Sequence, residues 1–351
     1  MSKRISIRVA VYGLLFFICS MTAMTGYCVY GKDIENQSGA KTNEQSMDNP
    51  GKLVGAMSAI YKTGNENAEF LYIPLDATEK NVSCQVDPME QVVYIKIKSA
   101  SEEYFEQNPV TGNIETIADM AFYVKDGEGC LKITTNGVYE IKQTVKDGQI
   151  RLQFVAPDKI YDRLVVIDPG HGGSDAGGVL GNITEENIAL DIALRLEAKL
   201  ENKGIGVYLT RDADIEQSIE KRVRLANDAG ADLFLSLHTA ADEENQEVCG
   251  IETDYNDTFI IPSFGSGDFA YLVEAEVVNI TGADALGMEP ALAEDALLQK
   301  ARMPVARLNV GYLTNGKEAQ LLGEAEYRQK IADGLYQAIL KSYEDKEGNH
   351  K

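Results

Sequence analysis

Residues 163–343 alternate short apolar runs with segments of helical periodicity, and this alternation limits the possible folds more than any other feature. The apolar run 164–167 leads through a glycine loop into a segment with an aliphatic residue at every fourth position. These residues are Ile188, Ile192, Leu196 and Leu200. Strands that alternate with amphipathic helices form βαβ units around one sheet. The pattern predicts an α/β domain with a mostly parallel sheet flanked by helices.

Residues 53–157 show a different pattern. Runs such as "QVVYIKIKS", "CLKITT" and "IRLQFVAP" alternate apolar with polar residues, and turn sequences such as "TNG" and "KDGQ" separate them. A two-residue period with turns between the runs is typical of hairpins in an all-β module. The runs carry no cluster of titratable residues, so we expect this module to pack or bind rather than to catalyse.

The amino-terminal part predicts export. Basic residues precede the run 9–31, which has no charged residue and is long enough to cross a hydrocarbon core of about 30 Å. Residues 1–31 are therefore predicted to be a signal-anchor that leaves the rest of the chain outside the cytoplasm. A signal peptide that is removed by cleavage is the open alternative. Residues 32–52 are polar and aperiodic, which predicts a flexible linker.

Net charge and cysteine spacing exclude two classes of protein. The formal net charge of −22 argues against a nucleic-acid partner, because binding to phosphates needs a clustered excess of lysine and arginine. The five cysteines have no CxxC or CxH spacing, which argues against a zinc site made of cysteines. A bridge between Cys84 and Cys130 and unpaired thiols are both left open.

Two of the three histidines follow predicted strands. His171 lies in the loop "GHGG" after the run 164–167, and His238 closes the run "LFLSLH". Glu185 opens the first predicted helix. Carboxyl ends of parallel strands meet at one edge of a sheet, and two imidazoles with a carboxylate suit a zinc ion with an open position. The plainer alternative is a pair of surface histidines and a glutamate that stabilises the start of a helix.

Several segments, in their order along the chain, resemble the zinc-dependent N-acetylmuramoyl-L-alanine amidase family of bacterial wall hydrolases. They are "VVIDPGHGGSDAGG", "EENIAL", "VYLTRDAD", "KRVRLANDAGADLFLSLH", "GIET" and "MPVARLNVGYLTNGKEAQLL", and together they span about half of the chain. The resemblance implies zinc (Zn2+) held by His171, Glu185 and His238, with Glu186 as the neighbouring alternative carboxylate. It implies peptidoglycan as the substrate and the bacterial cell envelope as the location. The β module resembles, more loosely, modules that help to locate such amidases in the wall.

The sequence departs from the family at two positions. Asn309 stands where the family carries a catalytic glutamate, and Ala240 stands where the family usually has asparagine. A side-chain amide cannot accept the proton of an attacking water, and loss of a general base usually lowers a rate by about 10²–10⁴-fold. Carboxylates that could replace the base are Glu186, Glu252, Glu294 and Asp295, and the sequence selects none of them.

The resemblance, together with these two departures, leaves three functions open. The first is a membrane-attached zinc hydrolase that cuts the amide between N-acetylmuramic acid and L-alanine. The second is an amidase-like protein with little or no turnover that binds peptidoglycan or has a regulatory role, and Asn309 and Ala240 favour it. The third is another zinc amide hydrolase, such as a deacetylase. Arg211 and Arg222 match family positions, and we expect them to have structural roles.

Overall fold

The structure is a computed structural model that describes residues 61–63, 70–74, 82–98, 101–112, 115–125 and 128–348. The predicted signal-anchor, residues 1–31, and the predicted linker, residues 32–52, lie outside these residues. Among the helices of the described residues, none combines the length and the apolar character that crossing a bilayer requires.

The amino-terminal part of the described chain is rich in β-strands. Its strands, β1 to β9, are Tyr61–Thr63, Leu71–Pro74, Val82–Asp87, Val92–Ile97, Val110–Gly112, Ile117–Lys125, Glu128–Thr135, Glu140–Lys146 and Gln149–Val155. They form a sheet with the order β1-β5-β2-β9-β8 and a second sheet with the order β3-β4-β7-β6. A short helix, α1 (Glu102–Gln107), lies between β4 and β5, so the part predicted as all-β also contains a helical turn.

Alternation of apolar residues explains the core of this part. In β4 and β7 the residues Val93, Ile95, Leu131 and Ile133 are almost completely buried, and the partly exposed residues Tyr94 and Lys132 lie between them. Successive side chains of a strand point to opposite faces, so each apolar set faces the same core. Cys84, Cys130 and Cys249 form no disulfide among the described residues.

The carboxyl-terminal part contains a mixed sheet. The strands of the carboxyl-terminal part, β10 to β17, are Leu164–Pro169, Val179–Leu180, Ile183–Thr184, Gly206–Leu209, Leu233–Ala240, Ile251–Tyr255, Ala285–Pro290 and Val305–Tyr312. The sheet order is β13-β10-β14-β17-β15-β16, and β11 and β12 form a separate hairpin. β15 pairs antiparallel with β17 and parallel with β16. The prediction of a mostly parallel sheet is therefore corrected: β15 and β16 run opposite to the rest of the sheet.

The connection between β14 and β15 explains the reversal. A strand that returns parallel to its predecessor needs a crossover of a dozen or more residues, which is usually a helix. Residues 241–250, all of them described, contain no helix. β15 therefore enters the sheet in the opposite direction, and its amino end lies at the edge where β14 and β17 have their carboxyl ends.

Helices cover both faces of this sheet. They are α2 to α7, with the ranges Glu185–Asn202, Ile219–Ala229, Ser266–Thr281, Ala296–Gln299, Gly316–Gly323 and Ala325–Gly348. α2, α4 and α7 share one hydrophobic core with the sheet, and α3 and α5 share another. The predicted stripe on α2 is confirmed, because its aliphatic residues at every fourth position are all buried. Ser218 caps α3 through its side chain, and Gly230 ends that helix in a left-handed conformation.

The β-rich part packs against α3. Met89, from the turn between β3 and β4, lies in the same hydrophobic core as Val223 and Ala226 of α3. Arg224 donates to the carbonyl of Met89 at 2.9 Å, and Gln91 Nε2 donates to Asp228 Oδ2 at 2.6 Å. The outer side of α3 is therefore fixed to the β-rich part by apolar and polar contacts together.

Candidate metal centre

The loop after β10 carries the first candidate ligand. β10 is buried along its whole length, and the chain then turns through Gly170 and His171. His171 has a φ of 60°, a left-handed conformation that is uncommon for residues other than glycine. A Cβ atom on Gly170 would lie 2.3 Å from the imidazole of His238, so a side chain at position 170 would collide with it. The glycine loop thus brings the backbone directly against the second candidate ligand.

Two buried arginines donate hydrogen bonds to backbone carbonyl groups of this loop. Arg222 on α3 donates from Nη1 to Asp168 Oδ1 and from Nη2 to the carbonyl of His171, each at 2.7 Å. Arg211 donates from Nη2 to the carbonyl of Gly170 at 2.7 Å. Both guanidinium groups contact backbone or a buried carboxylate, and these contacts agree with the structural roles expected from the sequence.

Asp168 compensates the charge of Arg222 in the interior. The carboxylate is fully buried and also accepts hydrogen bonds from the hydroxyls of Thr210 at 2.6 Å and Ser236 at 2.7 Å. Burial alone would raise the pKa of Asp168, but the charge of Arg222 and these hydrogen bonds hold it below its ordinary value. The loop of His171 is therefore hydrogen-bonded to Arg222, and the buried carboxylate of Asp168 compensates the charge of that arginine.

The structure brings the three predicted metal ligands together. One ligand atom from each of His171, Glu185 and His238 lies within 4.8 Å of the others. Glu185 Oε1 is 3.1 Å from Nε2 of His171 and 2.9 Å from Nδ1 of His238. The Glu185 side chain is 7% exposed, whereas the histidine side chains are 23% and 21% exposed, so the cluster opens to solvent on the side of the histidines.

Groups around the cluster orient the ligands. Asp175 Oδ2 lies 2.8 Å from Nδ1 of His171, which leaves Nε2 of that ring facing Glu185. The backbone N–H groups of Gly178 and Thr239 donate to the two oxygens of Glu185, each at 2.9 Å. A carboxylate on the second nitrogen of a ligand histidine fixes the orientation of the ring and is usual around metals.

The electrostatics of the cluster favour a cation. The Glu185 carboxylate, and then Asp175, raise the pKa of His171 to about 9, although burial opposes this. Burial would raise the pKa of Glu185, but hydrogen bonds with both histidines hold it well below its usual range. The carboxylates of Glu185 and Asp175 thus stabilise a positive charge at His171. Two nitrogen donors and one oxygen donor with an open side are a donor set that can hold a divalent metal ion.

Glu186 is not part of this cluster. Its carboxylate lies 3.5 Å from the hydroxyl of Thr184, and burial followed by the charge of Asp214 raises its pKa. The backbone carbonyl of Glu186 accepts a hydrogen bond from Arg211 at 2.8 Å. Neighbouring residues of a helix point about 100° apart, which explains why Glu185 faces the histidines and Glu186 does not.

Asn309 lies beside the cluster, on β17. It is in register with His238 of β14 on one side and with Glu252 of β15 on the other. Its Nδ2 donates to Glu252 Oε1 at 3.1 Å, and the hydroxyl of Tyr312 donates to Glu252 Oε2 at 2.8 Å. Ala240, the second departure from the family, lies beyond a register shift of β14 and pairs with Tyr312.

Two residues of this site, Asp175 and Tyr312, were not predicted from the sequence. Asp175 follows His171 by four residues, and this local spacing is a signal that a search for partners of the histidine could have used. The role of Tyr312 has no such signal, because its contact with Glu252 depends on the pairing of two strands.

The family model described as "N-acetylmuramoyl-L-alanine amidase" (Amidase_3) matches residues 165–341. The germination-specific N-acetylmuramoyl-L-alanine amidase of Bacillus subtilis (strain 168) is 27% identical over 198 residues, covering 52% of this chain and 81% of that protein. The N-acetylmuramoyl-L-alanine amidase LytC of the same strain is 30% identical over 184 residues, covering 52% of this chain and only 36% of LytC.

A solved structure also matches about half of the chain. The N-acetylmuramoyl-L-alanine amidase AmiC2 of Nostoc punctiforme is 32% identical, with a TM-score of 0.48, covering 52% of this chain and 97% of that one. The family model alone spans half of the sequence and includes all three ligand positions. The chain therefore belongs to the N-acetylmuramoyl-L-alanine amidase family.

Proposed function

We propose that this protein is a zinc-dependent amidase that hydrolyses the bond between N-acetylmuramic acid and L-alanine in peptidoglycan. Membership of the family supports the activity. The observation that carries the proposal is the convergence of His171, Glu185 and His238 within 4.8 Å in the domain that matches the family model.

The residues of the cluster fit zinc. Imidazole nitrogens and a carboxylate oxygen are common zinc ligands, and catalytic sites typically use three protein ligands. A Cβ atom on Gly177 would lie 2.7 Å from both the Glu185 carboxylate and the ring of His171, so the ligands lie tightly against a backbone of glycine. When bound, zinc would polarise the scissile carbonyl and lower the pKa of a water molecule.

The residues of the chain supply orientation. Asp175 holds the ring of His171, and backbone N–H groups hold Glu185, so the three ligands are positioned before substrate arrives. Arg211 and Arg222 keep the loop of His171 in its left-handed conformation through its carbonyl groups. A site that is fixed in this way needs little rearrangement during the reaction.

We also propose a location in the cell envelope, with the β-rich part helping to place the enzyme in the wall. The charge-free run 9–31 supports attachment to the membrane through the amino-terminal segment. The second candidate function is a wall-binding protein with little or no turnover, and the amide of Asn309 is the observation in its favour.

Analysis of the products separates these functions. Purified full-length protein is loaded with zinc and incubated with purified peptidoglycan. An amidase releases free lactyl carboxyl groups on muramic acid together with new amino-terminal L-alanine. A deacetylase would release acetate instead, and a binding protein would sediment with the wall and release neither product.

A further inference from the structure

We propose that Glu252 is the catalytic base of this site and takes the place of the glutamate that position 309 lacks. The inference rests on the proposed amidase function and assigns the proton transfer to a residue on a different strand. Three observations carry it: the direction of β15, the contacts of the Glu252 carboxylate, and the partners of the other nearby acids.

The reversed direction of β15 brings Glu252 to the edge of the sheet at which the cluster lies. His238, Asn309 and Glu252 are register partners across β14, β17 and β15. Register partners of adjacent strands point to the same face, and two strand spacings amount to about 10 Å. Glu252 is the second residue of β15, so a parallel β15 would have placed it at the opposite edge of the sheet.

The contact with Asn309 places the Glu252 carboxylate close to the position of the family glutamate. Glu252 Oε1 lies 3.1 Å from Asn309 Nδ2, so its negative charge is displaced from the tip of residue 309 by the length of one hydrogen bond. The amide of Asn309 is neutral and donates this hydrogen bond, so it fixes the position of Glu252 Oε1 without adding a charge. Asn309 is therefore a positioning residue for the carboxylate.

Tyr312 fixes the second oxygen of Glu252. Residues 309 and 312 are an odd number apart, so strict alternation would point their side chains to opposite faces. The pairing of β14 with β17 shifts register after His238, and Gly311 has a φ of 141°. This irregularity turns Tyr312 to the face of Asn309, where its hydroxyl donates to Glu252 Oε2 at 2.8 Å. Burial and the charge of Glu252 raise the pKa of Tyr312, which keeps this hydroxyl protonated.

Other acids near the cluster are engaged elsewhere. Glu186 faces Thr184 and Asp214. Asp295 accepts from Arg307 Nη1 at 2.6 Å, and that ion pair occupies its carboxylate. Glu294 is exposed at the surface. Of the four carboxylates that the sequence leaves open, Glu252 is the one whose oxygen contacts the side chain of residue 309.

The proton transfer proceeds as follows. The oxygen of a water molecule forms a bond with the amide carbon, the π electrons of the carbonyl move to its oxygen, and Glu252 accepts a proton from the water. The bond between carbon and nitrogen then breaks with its electron pair on nitrogen, and Glu252 returns the proton to that nitrogen. The products are the lactyl carboxylic acid and the free amine of L-alanine, so one water is consumed and Glu252 is regenerated.

The test uses full-length protein with zinc bound and four measurements: kcat on peptidoglycan, zinc content, the thermal transition, and the Kd for an intact muropeptide by calorimetry. In Glu252→Gln we expect kcat to fall by about 10²–10⁴-fold, with zinc content and Kd unchanged. Glu289→Gln, which removes an exposed carboxylate from the neighbouring strand β16, is the matched control and keeps the wild-type kcat.

A swap variant keeps the proposal testable if Glu252→Gln folds poorly. Glu252→Gln with Asn309→Glu exchanges the amide and the carboxylate across the same pair of strands. We expect its kcat to be at least about tenfold higher than that of Glu252→Gln, because the carboxylate again faces the cluster.

The outcomes separate the two proposals. A wild type that produces new amino-terminal L-alanine, together with a Glu252→Gln variant that retains its kcat, overturns the role of Glu252 and leaves the amidase function intact. A swap variant that binds zinc but stays at the rate of Glu252→Gln also overturns that role. A wild type with bound zinc that produces no new amino-terminal L-alanine overturns both proposals.

Discussion

The two sides of the candidate site are built from different interactions. On the ligand side, His171 and Glu185 are held by Asp175, by buried arginines and by backbone N–H groups. On the other side, the Glu252 carboxylate is held by neutral donors on the adjacent strand. Removing one partner of a buried ion pair leaves an uncompensated charge. Two side chains that face each other on adjacent strands can instead swap an amide for a carboxylate with less disturbance of the fold. Substitutions on the ligand side are therefore expected to be costly. On the other side, the catalytic carboxylate can be supplied by β15 instead of β17.

The largest effect is expected at the ligand side. His171→Ala removes a nitrogen donor and should lower both zinc content and wall hydrolysis, the latter by about 10⁴-fold or more, because the polarising metal is lost. Zinc is measured by mass spectrometry on dialysed protein, and the fold is checked by circular dichroism. Full zinc content in a folded variant would show that the metal, if any, binds elsewhere.

Breaking the buried ion pair tests how rigidly the ligand side is held. Arg222→Met leaves Asp168 buried without its charge partner, and we expect the free energy of unfolding at pH 7 to fall by about 3–5 kcal/mol. Denaturant titration measures the loss. Arg302→Met, at an exposed position, is the control and should change the free energy by less than about 0.5 kcal/mol.

The difference in stability between wild type and Arg222→Met should depend on pH. The pKa of Asp168 is lowered in the folded state, so its ion pair stabilises the fold above the unfolded pKa of about 3.9. This contribution is lost as the pH falls through the lower, folded pKa. The difference in stability between wild type and Arg222→Met should therefore shrink below about pH 4, and a constant difference down to pH 2 would contradict the assignment.

A smaller effect is expected for the group that orients a ligand. Asp175→Asn keeps the shape of the side chain but removes the negative charge beside His171 Nδ1. We expect the Kd for zinc to rise by about 10–100-fold, measured by competition with a chelator. Asp212→Asn, which neutralises an exposed carboxylate nearby, should leave the affinity unchanged. Equal affinities in the two variants would mean that Asp175 does not orient the ring.

The smallest effect is expected on the side of Glu252. Tyr312→Phe removes one hydrogen bond to the carboxylate, so kcat should fall by about three- to tenfold while KM and zinc content stay constant. The same substitution in Glu252→Gln should have no further effect, because the residue acts through Glu252. An equal loss in both backgrounds would assign Tyr312 a general structural role.

Local patterns located the elements that carry His171, Glu185 and His238. The spacing of aliphatic residues located α2, and the positions of His171 and His238 after apolar runs located the ends of two parallel strands. These predictions depend on interactions within a few residues, which the order of residues along the chain determines directly. The β-rich part was predicted from alternation for the same reason, apart from the short helix α1.

Long-range pairing was not predictable in the same way. β15 is short, and the choice between parallel and antiparallel pairing depends on the connection 241–250 rather than on the residues of the strand. Without that direction, four carboxylates remained equivalent candidates for the base. The register of β17 with β15 is what separates Glu252 from the others, and register depends on how two distant segments meet.

Helix α3 has a mechanical consequence for an enzyme that works on a stressed polymer. Its outer side holds the β-rich part through Met89 and Asp228, and its inner side holds the loop of His171 through Arg222. A helix of eleven residues is stiff over this length. A force applied to the β-rich part is therefore transmitted through α3 to the backbone of His171, so the position of the β-rich part and the geometry of the candidate ligands are mechanically connected.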